Sequence, residues 1–335
     1  MSKSEWGAVA LMVGVLIAFS LPYLQKSREV SRRNQCDFRL VQLAQAVHRT
    51  HELRTALPGY RETARAKESQ PVAVSWVYPL LPFIGLAPTP EELKEKKFSP
   101  ERNGKYASVA ARVFEKKSAG VPLAPLWCPD VRPDETRPAR LHFVANTGLP
   151  DALATEQSPA DWPANGVWQD RFQPSGSSLK IAEPLSLPNI DQRDGTSTTL
   201  LFAENMDAGD WTDTEERLIG FVWQARVVGE GIERAPAIYG INQQRGLRTP
   251  AASTSSYAFA RPASFHPGGV NVVYCDGHSD FLDEGLDYEI FLRIMTVDDS
   301  QLQHPGEATL FAEPLRMTIV PPATDEPISA PTENR

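Results

Sequence analysis

The first fifty-odd residues carry the clearest pattern of apolar and polar positions in the chain. No charged side chain occurs from Trp6 to Gln25, and twenty helical residues at about 1.5 Å each cover the roughly 30 Å of a bilayer's hydrocarbon. The stretch that follows is basic, and its apolar residues recur at spacings of three and four: Cys36, Leu40, Leu43 and Val47. The pattern predicts a transmembrane helix at residues 1–25 and an amphipathic stem helix at residues 26–56, whose apolar face docks on the rest of the chain.

Two residues of this segment have special properties in a helix. Pro22 removes a backbone N–H and kinks a helix unless its neighbours accommodate it. We therefore expect one long, gently broken helix from about Trp6 to about His51. Glu5 lies at the edge of the apolar span, where a carboxylate either stays among the lipid headgroups or is neutralised by a functional partner. Both interpretations of Glu5 stay open.

The topology of the segment also has alternatives. The positive-inside rule places the basic side of the span, which begins at Lys26, in the cytoplasm. A cleavable signal is a second possibility, because Ala18-Phe19-Ser20 supplies small residues at the required spacing. The helical pattern continues through that site without a break, and this favours an uncleaved anchor.

Residues 57–300 read as a body rich in short strands, since the chain has 29 prolines and 21 glycines. Beyond residue 300 the chain is polar and rich in proline, which predicts a disordered tail at 301–335. The overall prediction is an α+β protein, with a long amino-terminal helix packed on a β-rich body. The predicted body elements are strands at Leu141–Ala145, Thr198–Phe202 and Leu218–Gln224, a hairpin of Val270–Tyr274 with Ser279–Leu282, and helices at Pro90–Lys97 and Leu286–Met295.

Charge is divided unevenly between the two parts. The whole chain has a net charge of −8, of which residues 1–56 contribute +4 and the remainder −12. A basic collar beside an apolar span suits anionic lipid headgroups, whereas an acidic body argues against nucleic acid as a partner.

The candidate chemistry lies around the predicted hairpin. The sequence Asp276-Gly277 supplies two residues suited to the positive φ angles of a type I′ turn, which is a purely structural role. The alternative is a metal or hydrolytic site built from His266, Asp276 and His278, with Cys275 as a further ligand. No G-x-S-x-G or CxxC pattern occurs in the chain, so neither a nucleophile elbow nor a zinc finger is predicted.

Several blocks of sequence, in order, are similar to one known family. The chain resembles the type IV pilin-like (pseudopilin-like) planctomycete proteins of the DUF1559 family, whose carboxy-terminal element is H-x9-DG. The blocks that carry the resemblance are the run from Leu16 to Glu52, Ser75-Trp76, Trp127-Cys128-Pro129-Asp130, Asn146-Thr147-Gly148, Asn165-Gly166-Val167, Asp194 to Glu204, His266-Pro267-Gly268-Gly269 and Asp276-Gly277.

The resemblance implies a structural subunit anchored in the cell (inner) membrane by one span, with its body on the exported, periplasm-like side. For the orientation we follow the resemblance and not the positive-inside rule, which would place the body in the cytoplasm. Glu5 and Pro22, seventeen positions apart, correspond to the pilin-type acid and proline that act in assembly. The implied partners are the lipid bilayer and other pilin-like subunits or a secretion-type machine. No catalytic activity, cofactor or metal is implied.

The alternative function is an anchored ligand-binding or metal-binding module that uses the region of His266 and Asp276. A hydrolase at these two residues is a third possibility, but no paired nucleophile or second carboxylate accompanies them.

The chain departs from the family at two places. It begins with Met-Ser-Lys-Ser before Glu5, where the family carries a short basic leader that ends in glycine. We therefore expect either a different start or a chain that no prepilin peptidase processes. In addition, Cys275 and His278 flank the Asp-Gly pair, where the family more often has a small or apolar residue and a serine.

The resemblance also bears on the cysteines. Cys36 and Cys128 both fall in family blocks, so a disulfide between them is a hypothesis for an oxidising compartment. Two buried thiols are the alternative.

Overall fold

The computed structural model describes residues 3–64, 71–84, 123–131, 137, 139–223, 226–228, 231–233, 240–243 and 257–302, although the side chains of most residues from 5 to 22 and of 226–233 lie outside the description. The helix predicted at Pro90–Lys97 and the tail from residue 303 onward also lie outside the described residues. Both stay predictions.

The described residues form an α+β structure, as predicted. The helices are α1 (Lys3–Arg54), α2 (Val77–Leu80), α3 (Leu187–Asp191), α4 (Glu216–Ile219) and α5 (Tyr288–Met295). The strands are β1 (Arg61–Ala64), β2 (Val72–Ser75), β3 (Phe143–Gly148), β4 (Leu200–Glu204), β5 (Gly220–Val222), β6 (Arg226–Val228), β7 (Gly231–Glu233), β8 (Gly269–Tyr274) and β9 (Ser279–Asp283).

Helix α1 is one continuous helix that lies within the predicted residues 1–56 and extends a few residues beyond Trp6 and His51 at its two ends. Its carboxy-terminal half presents the apolar face that the spacing indicated: Cys36, Leu40, Leu43 and Val47 are completely buried, whereas Gln42 and Gln45 are exposed. The docked stem helix is therefore confirmed. Glu5 and Pro22 both lie within α1, but their side chains are outside the described residues, and a bend at Pro22 stays a prediction.

Within the described part of the chain, no helix has both the length and the apolar content needed to cross a membrane. Most side chains of the span predicted at residues 1–25 fall outside that part.

The body is organised around a five-stranded sheet in the order β5-β3-β4-β8-β9. Strand β5 runs parallel to β3, and the remaining neighbours are antiparallel. Strands β3, β4 and β8 are buried along their whole length, because α1 covers one face near β8 while the rest of the core fills the other. On the core side, the Phe202 ring lies 4.9 Å from that of Trp76 and 5.1 Å from that of Trp168, between ring centroids.

Two element predictions need correction. The strand predicted at Leu218–Gln224 begins later, because Glu216–Ile219 forms a helical turn first. The helix predicted at Leu286–Met295 begins at Tyr288, because the carboxylate of Asp287 caps it by accepting a hydrogen bond of 2.8 Å from the Glu289 N–H.

The apolar residues Leu286, Ile290 and Ile294 recur at helical spacing, which predicts that they form the packing face of this last helix, α5. Leu286 and Ile294 do pack against the core, but Ile290 is 43% exposed. The residues of this helix that are fully buried in the core are Phe291, Leu292 and Met295.

Candidate functional site

Strand β8 lies against α1, and the residues that flank the strand contact two different points along the helix. Before the strand, the Nδ1 atom of His266 lies 2.8 Å from Oε1 of Glu29. After it, the carbonyl oxygen of Cys275 lies 2.8 Å from Nε2 of His48. Glu29 and His48 are separated by about 28 Å of helix. The H-x9-DG element therefore contacts the stem helix at both of its ends, and we call this contact the docking interface.

The middle of the docking interface is held by Arg33. Its guanidinium carbon lies 3.6 Å from the centroid of the Phe281 ring on β9, and its carbonyl oxygen accepts a hydrogen bond of 3.5 Å from Nδ2 of Asn271 on β8. A guanidinium over an aromatic face is attractive through the ring quadrupole. The helix is thus fixed to both strands of the hairpin.

His266 is almost completely enclosed in the docking interface, with 1% of its side chain exposed. Its Nε2 atom lies 3.3 Å from Oε1 of Glu204 at the end of β4, whereas its Nδ1 faces Glu29. Glu204 is completely buried, and both of its oxygens accept hydrogen bonds from Asn271, at 2.8 Å from the backbone N–H and 3.0 Å from Nδ2. One imidazole ring therefore bridges a carboxylate of the helix and a carboxylate of the sheet.

The charges around His266 favour its protonated form. Burial lowers the pKa of His266, but the hydrogen bonds and negative charges of Glu204 and Glu29 outweigh it and raise the pKa to about 9. The pKa of Glu29 is lowered. Burial by itself would raise this pKa, but the hydrogen bonds from His266 and Arg32 have the larger effect. Arg32 also pairs with Asp130 at 2.8 Å. At neutral pH the ring carries a positive charge between two carboxylates.

The two cysteines paired in the structure lie beside this ring. Cys36 of α1 and Cys128, in the segment before β3, form a disulfide with an S–S distance of 1.97 Å. The Sγ atom of Cys128 lies 3.8 Å from Nε2 of His266. This bond closes the same junction between helix and body that the His266 bridge spans.

The Pro-Gly-Gly turn after His266 requires both of its glycines. Gly268 has a φ of +85°, a conformation that side chains disfavour. A Cβ atom on Gly269 would lie 2.1 Å from the carbonyl oxygen of Leu282 in the paired strand. The turn is further held by Ser264, whose hydroxyl donates to the Gly269 carbonyl at 2.7 Å and accepts from the His266 N–H at 3.1 Å.

The Asp-Gly turn confirms the predicted hairpin but not its predicted type. Only Gly277 has a positive φ, of +93°, and Asp276 does not, whereas a type I′ turn needs both. The Gly277 N–H donates to the Tyr274 carbonyl at 2.9 Å, and the Tyr274 N–H donates to the His278 carbonyl at 2.9 Å. This is a three-residue loop that ends in a left-handed glycine. The Asp276 carboxylate accepts from the His278 N–H at 3.0 Å, so its role is local.

The structure does not bring the predicted metal or hydrolytic set together. His266 and Asp276 lie at opposite ends of β8, which is about 20 Å long. His278 pairs with Asp276 at 2.6 Å on the surface, and the thiol of Cys275 is buried away from solvent, which raises its pKa. A single site using His266, Asp276, His278 and Cys275 is therefore not formed.

Sequence reasoning missed the partners of His266. Asp130 and Glu204 stand inside blocks that carried the family resemblance, and Glu29 lies within the run that matched the family stem. The available signal was that these acids, like His266 and Cys128, lie in blocks that match the family. No local spacing connects them, since Glu29 and His266 are 237 positions apart.

A second cluster of buried carboxyl groups lies elsewhere in the body. Burial and neighbouring acids raise the pKa of Asp151 and of Asp161 well above the usual range. Burial raises the pKa of Glu216 to about 7, even though its Oε2 accepts a hydrogen bond of 2.8 Å from the Tyr257 hydroxyl. Each of the three carboxyl groups keeps one buried oxygen without a hydrogen-bond partner. Such groups are protonated more readily than exposed acids.

The fold and the docking interface define an α+β protein whose long amino-terminal helix is fixed to its body by a disulfide and a buried charge bridge. The family described as "Protein of unknown function (DUF1559)" matches residues 25–289, and the chain belongs to this family. This match confirms the DUF1559 part of the resemblance seen in the sequence. No match was found among the curated proteins or the solved structures.

Proposed function

We propose that this chain is a membrane-anchored, non-catalytic structural subunit of the pilin-like or pseudopilin-like type, which assembles through its amino-terminal helix. The observation that carries the proposal is the contrast between the two halves of α1. From Cys36 onward one face of the helix is buried in the body, whereas every described side chain from residue 4 to residue 28 is exposed.

The exposed half of α1 has a strongly apolar surface. Among its described side chains, six large apolar ones are between 49% and 76% exposed: Trp6, Leu11, Met12, Leu16, Tyr23 and Leu24. A patch of this size on an isolated molecule marks a surface that a membrane or another protein covers. A bilayer and the helices of neighbouring subunits are the covering partners in a pilin-like assembly.

The docked half supports a mechanical role for the same helix. The contacts that join α1 to the body are the Cys36–Cys128 disulfide, the Glu29–His266–Glu204 bridge and the hydrogen bond of His48 to the Cys275 carbonyl. A force applied to the anchored half of the helix is therefore transmitted to the body through covalent and buried contacts. A disulfide also suits a body on the exported side of the cell (inner) membrane, because such bonds persist in oxidising compartments.

Cysteine crosslinking of the full chain in native membranes tests the proposal. We expect Leu11→Cys or Leu16→Cys to give covalent dimers on mild oxidation, because these positions would face a neighbouring helix. Leu153→Cys is the matched control, since Leu153 is 90% exposed but belongs to the body, and we expect much less dimer from it.

Two results would contradict the proposal. One is equal dimer formation at the helix and control positions. The other is recovery of the full chain in the soluble fraction after carbonate extraction of the membranes.

A further inference from the structure

Four side chains with metal-binding atoms meet where α1 joins the body. Cys36, Cys128, Glu204 and His266 are all buried, and one ligand atom from each lies within 4.8 Å of the others. The Sγ atom of Cys128 is 3.8 Å from Nε2 of His266, which is 3.3 Å from Oε1 of Glu204. The disulfide occupies both sulfur atoms in the oxidised chain.

We propose that reduction of the Cys36–Cys128 disulfide creates a binding site for one thiolate-binding divalent cation, such as Zn²⁺, with His266 and Glu204 as the other ligands. Two thiolates, an imidazole nitrogen and a carboxylate oxygen form a donor set that Zn²⁺ accepts in tetrahedral geometry. Ligand atoms placed tetrahedrally at about 2.0–2.3 Å from zinc are about 3.3–3.8 Å apart. The distances from His266 to Glu204 and to Cys128 already fall in this range. The two sulfur atoms have to separate from their bonded distance of 1.97 Å.

Glu29 completes the arrangement from the other side of the ring. A histidine that binds a metal through one nitrogen usually donates its other N–H to a carboxylate or carbonyl, which fixes the tautomer. In this chain Nδ1 of His266 faces Glu29 at 2.8 Å. This contact leaves Nε2 directed toward Glu204 and the cysteine sulfur atoms.

The chemical step is a two-electron reduction followed by metal binding. A dithiol reductant supplies two electrons and two protons, the S–S bond breaks, two thiols form, and the reductant becomes a disulfide. The cation then displaces both thiol protons and the imidazolium proton into solvent.

The site would act as a second means of holding the helix. Cys36 belongs to α1, and the other three ligands belong to the body, so a bound cation crosslinks the same junction as the disulfide. The chain would keep its helix docked in a reducing compartment through the metal and in an oxidising one through the disulfide. This inference does not depend on whether the helix is an assembly element.

Cobalt binding tests the site directly. The full chain in detergent is reduced with dithiothreitol, desalted without oxygen and titrated with Co²⁺, whose thiolate complexes absorb through sulfur-to-metal charge transfer. We expect one Co²⁺ per reduced chain, displacement by Zn²⁺, and a higher unfolding temperature with Zn²⁺ than without it. The oxidised chain should show no charge-transfer band.

Substitutions separate this site from adventitious thiol binding. Cys275→Ser removes the third cysteine, which lies outside the cluster, and should bind Co²⁺ as the unsubstituted chain does. Cys36→Ser should abolish the two-thiolate band, and His266→Gln should weaken binding by 10- to 100-fold or more.

Any one of three results would overturn the proposal. These are a reduced chain without the band, whether folded or not, a Cys275→Ser chain that loses it, or a His266→Gln chain that binds with unchanged affinity. None of these readouts involves membrane insertion or subunit crosslinking, so failure here is distinct from failure of the proposed function.

Discussion

His266 shows how one residue can join two elements that are far apart in the chain. Its protonated ring lies between Glu29 of α1 and Glu204 of β4, and all but 1% of the side chain is shielded from solvent. A buried charge bridge of this kind adds little net stability compared with an apolar replacement of the same shape, but removing one partner leaves the other charges uncompensated.

We therefore expect His266→Ala to lower the free energy of unfolding by about 3–5 kcal/mol, because it leaves the buried Glu204 carboxylate facing Glu29 without the positive charge between them. Denaturant unfolding of the oxidised chain measures the change. His278→Ala is the matched control: that ring is 47% exposed, and its loss should cost less than about 1 kcal/mol. Equal losses for the two variants would contradict the bridging role of His266.

At the scale of elements, the hairpin of β8 and β9 is shaped by its glycines more than by its charged residues. Gly269 is where the two strands approach too closely for a side chain, and Gly268 is where the chain turns with a positive φ. The two positions differ in what surrounds them, since nothing lies within 4 Å of a Cβ placed on Gly268.

We expect Gly268→Ala to cost about 1–2 kcal/mol, from its left-handed backbone alone. Gly269→Ala should cost more than about 3 kcal/mol, because its methyl group would overlap the Leu282 carbonyl and separate the paired strands. Urea unfolding measures both variants, and hydrogen exchange at β8 and β9 shows whether pairing is lost. A Gly269→Ala variant as stable as Gly268→Ala would refute the close-approach argument.

At the scale of the whole molecule, the buried acids join distant parts of the body. Asp151 accepts a hydrogen bond from the hydroxyl of Tyr60, and Glu216 accepts one from Tyr257 and another, of 3.0 Å, from the backbone N–H of Asp151. Four separate segments of the chain thus meet at carboxyl groups that are hard to ionise. The stability of the body should depend on pH for this reason.

The pKa of Glu216 is about 7 in the folded chain against an ordinary value of 4.5. The folded state therefore holds this proton to higher pH than the unfolded state does. Its contribution to stability is complete below about pH 4.5 and declines as pH rises to about 7, by up to about 1.4 kcal/mol per pH unit. We expect Glu216→Gln to flatten the plot of unfolding free energy against pH between these values.

Urea unfolding at a series of pH values measures the effect of Glu216→Gln. Glu183→Gln is a control at an exposed position and should leave the slope unchanged. An unaltered slope in Glu216→Gln would show that the carboxyl group ionises normally in the folded chain.

The sequence alone determined the elements whose signal is local. The spacing of Cys36, Leu40, Leu43 and Val47 identified the docked face of α1, because a helix of 3.6 residues per turn brings those positions together whatever the rest of the chain does. The hairpin around Gly277 was predicted from signals that are equally local, namely the alternation of apolar residues in the strand and the Asp-Gly turn. The ordered sequence blocks identified the DUF1559 family.

Only the tertiary structure decided which of those blocks meet. His266 and Asp276 belong to one sequence motif and were predicted to form one site. The extended strand β8 lies between them and keeps the two residues about 20 Å apart. Glu29, Cys36, Cys128 and Glu204 gather around His266 because α1 packs across the hairpin and the sheet places β4 next to β8. Periodicity and spacing describe neighbours along the chain, whereas this junction depends on contacts between residues such as Glu29 and His266, which are 237 positions apart.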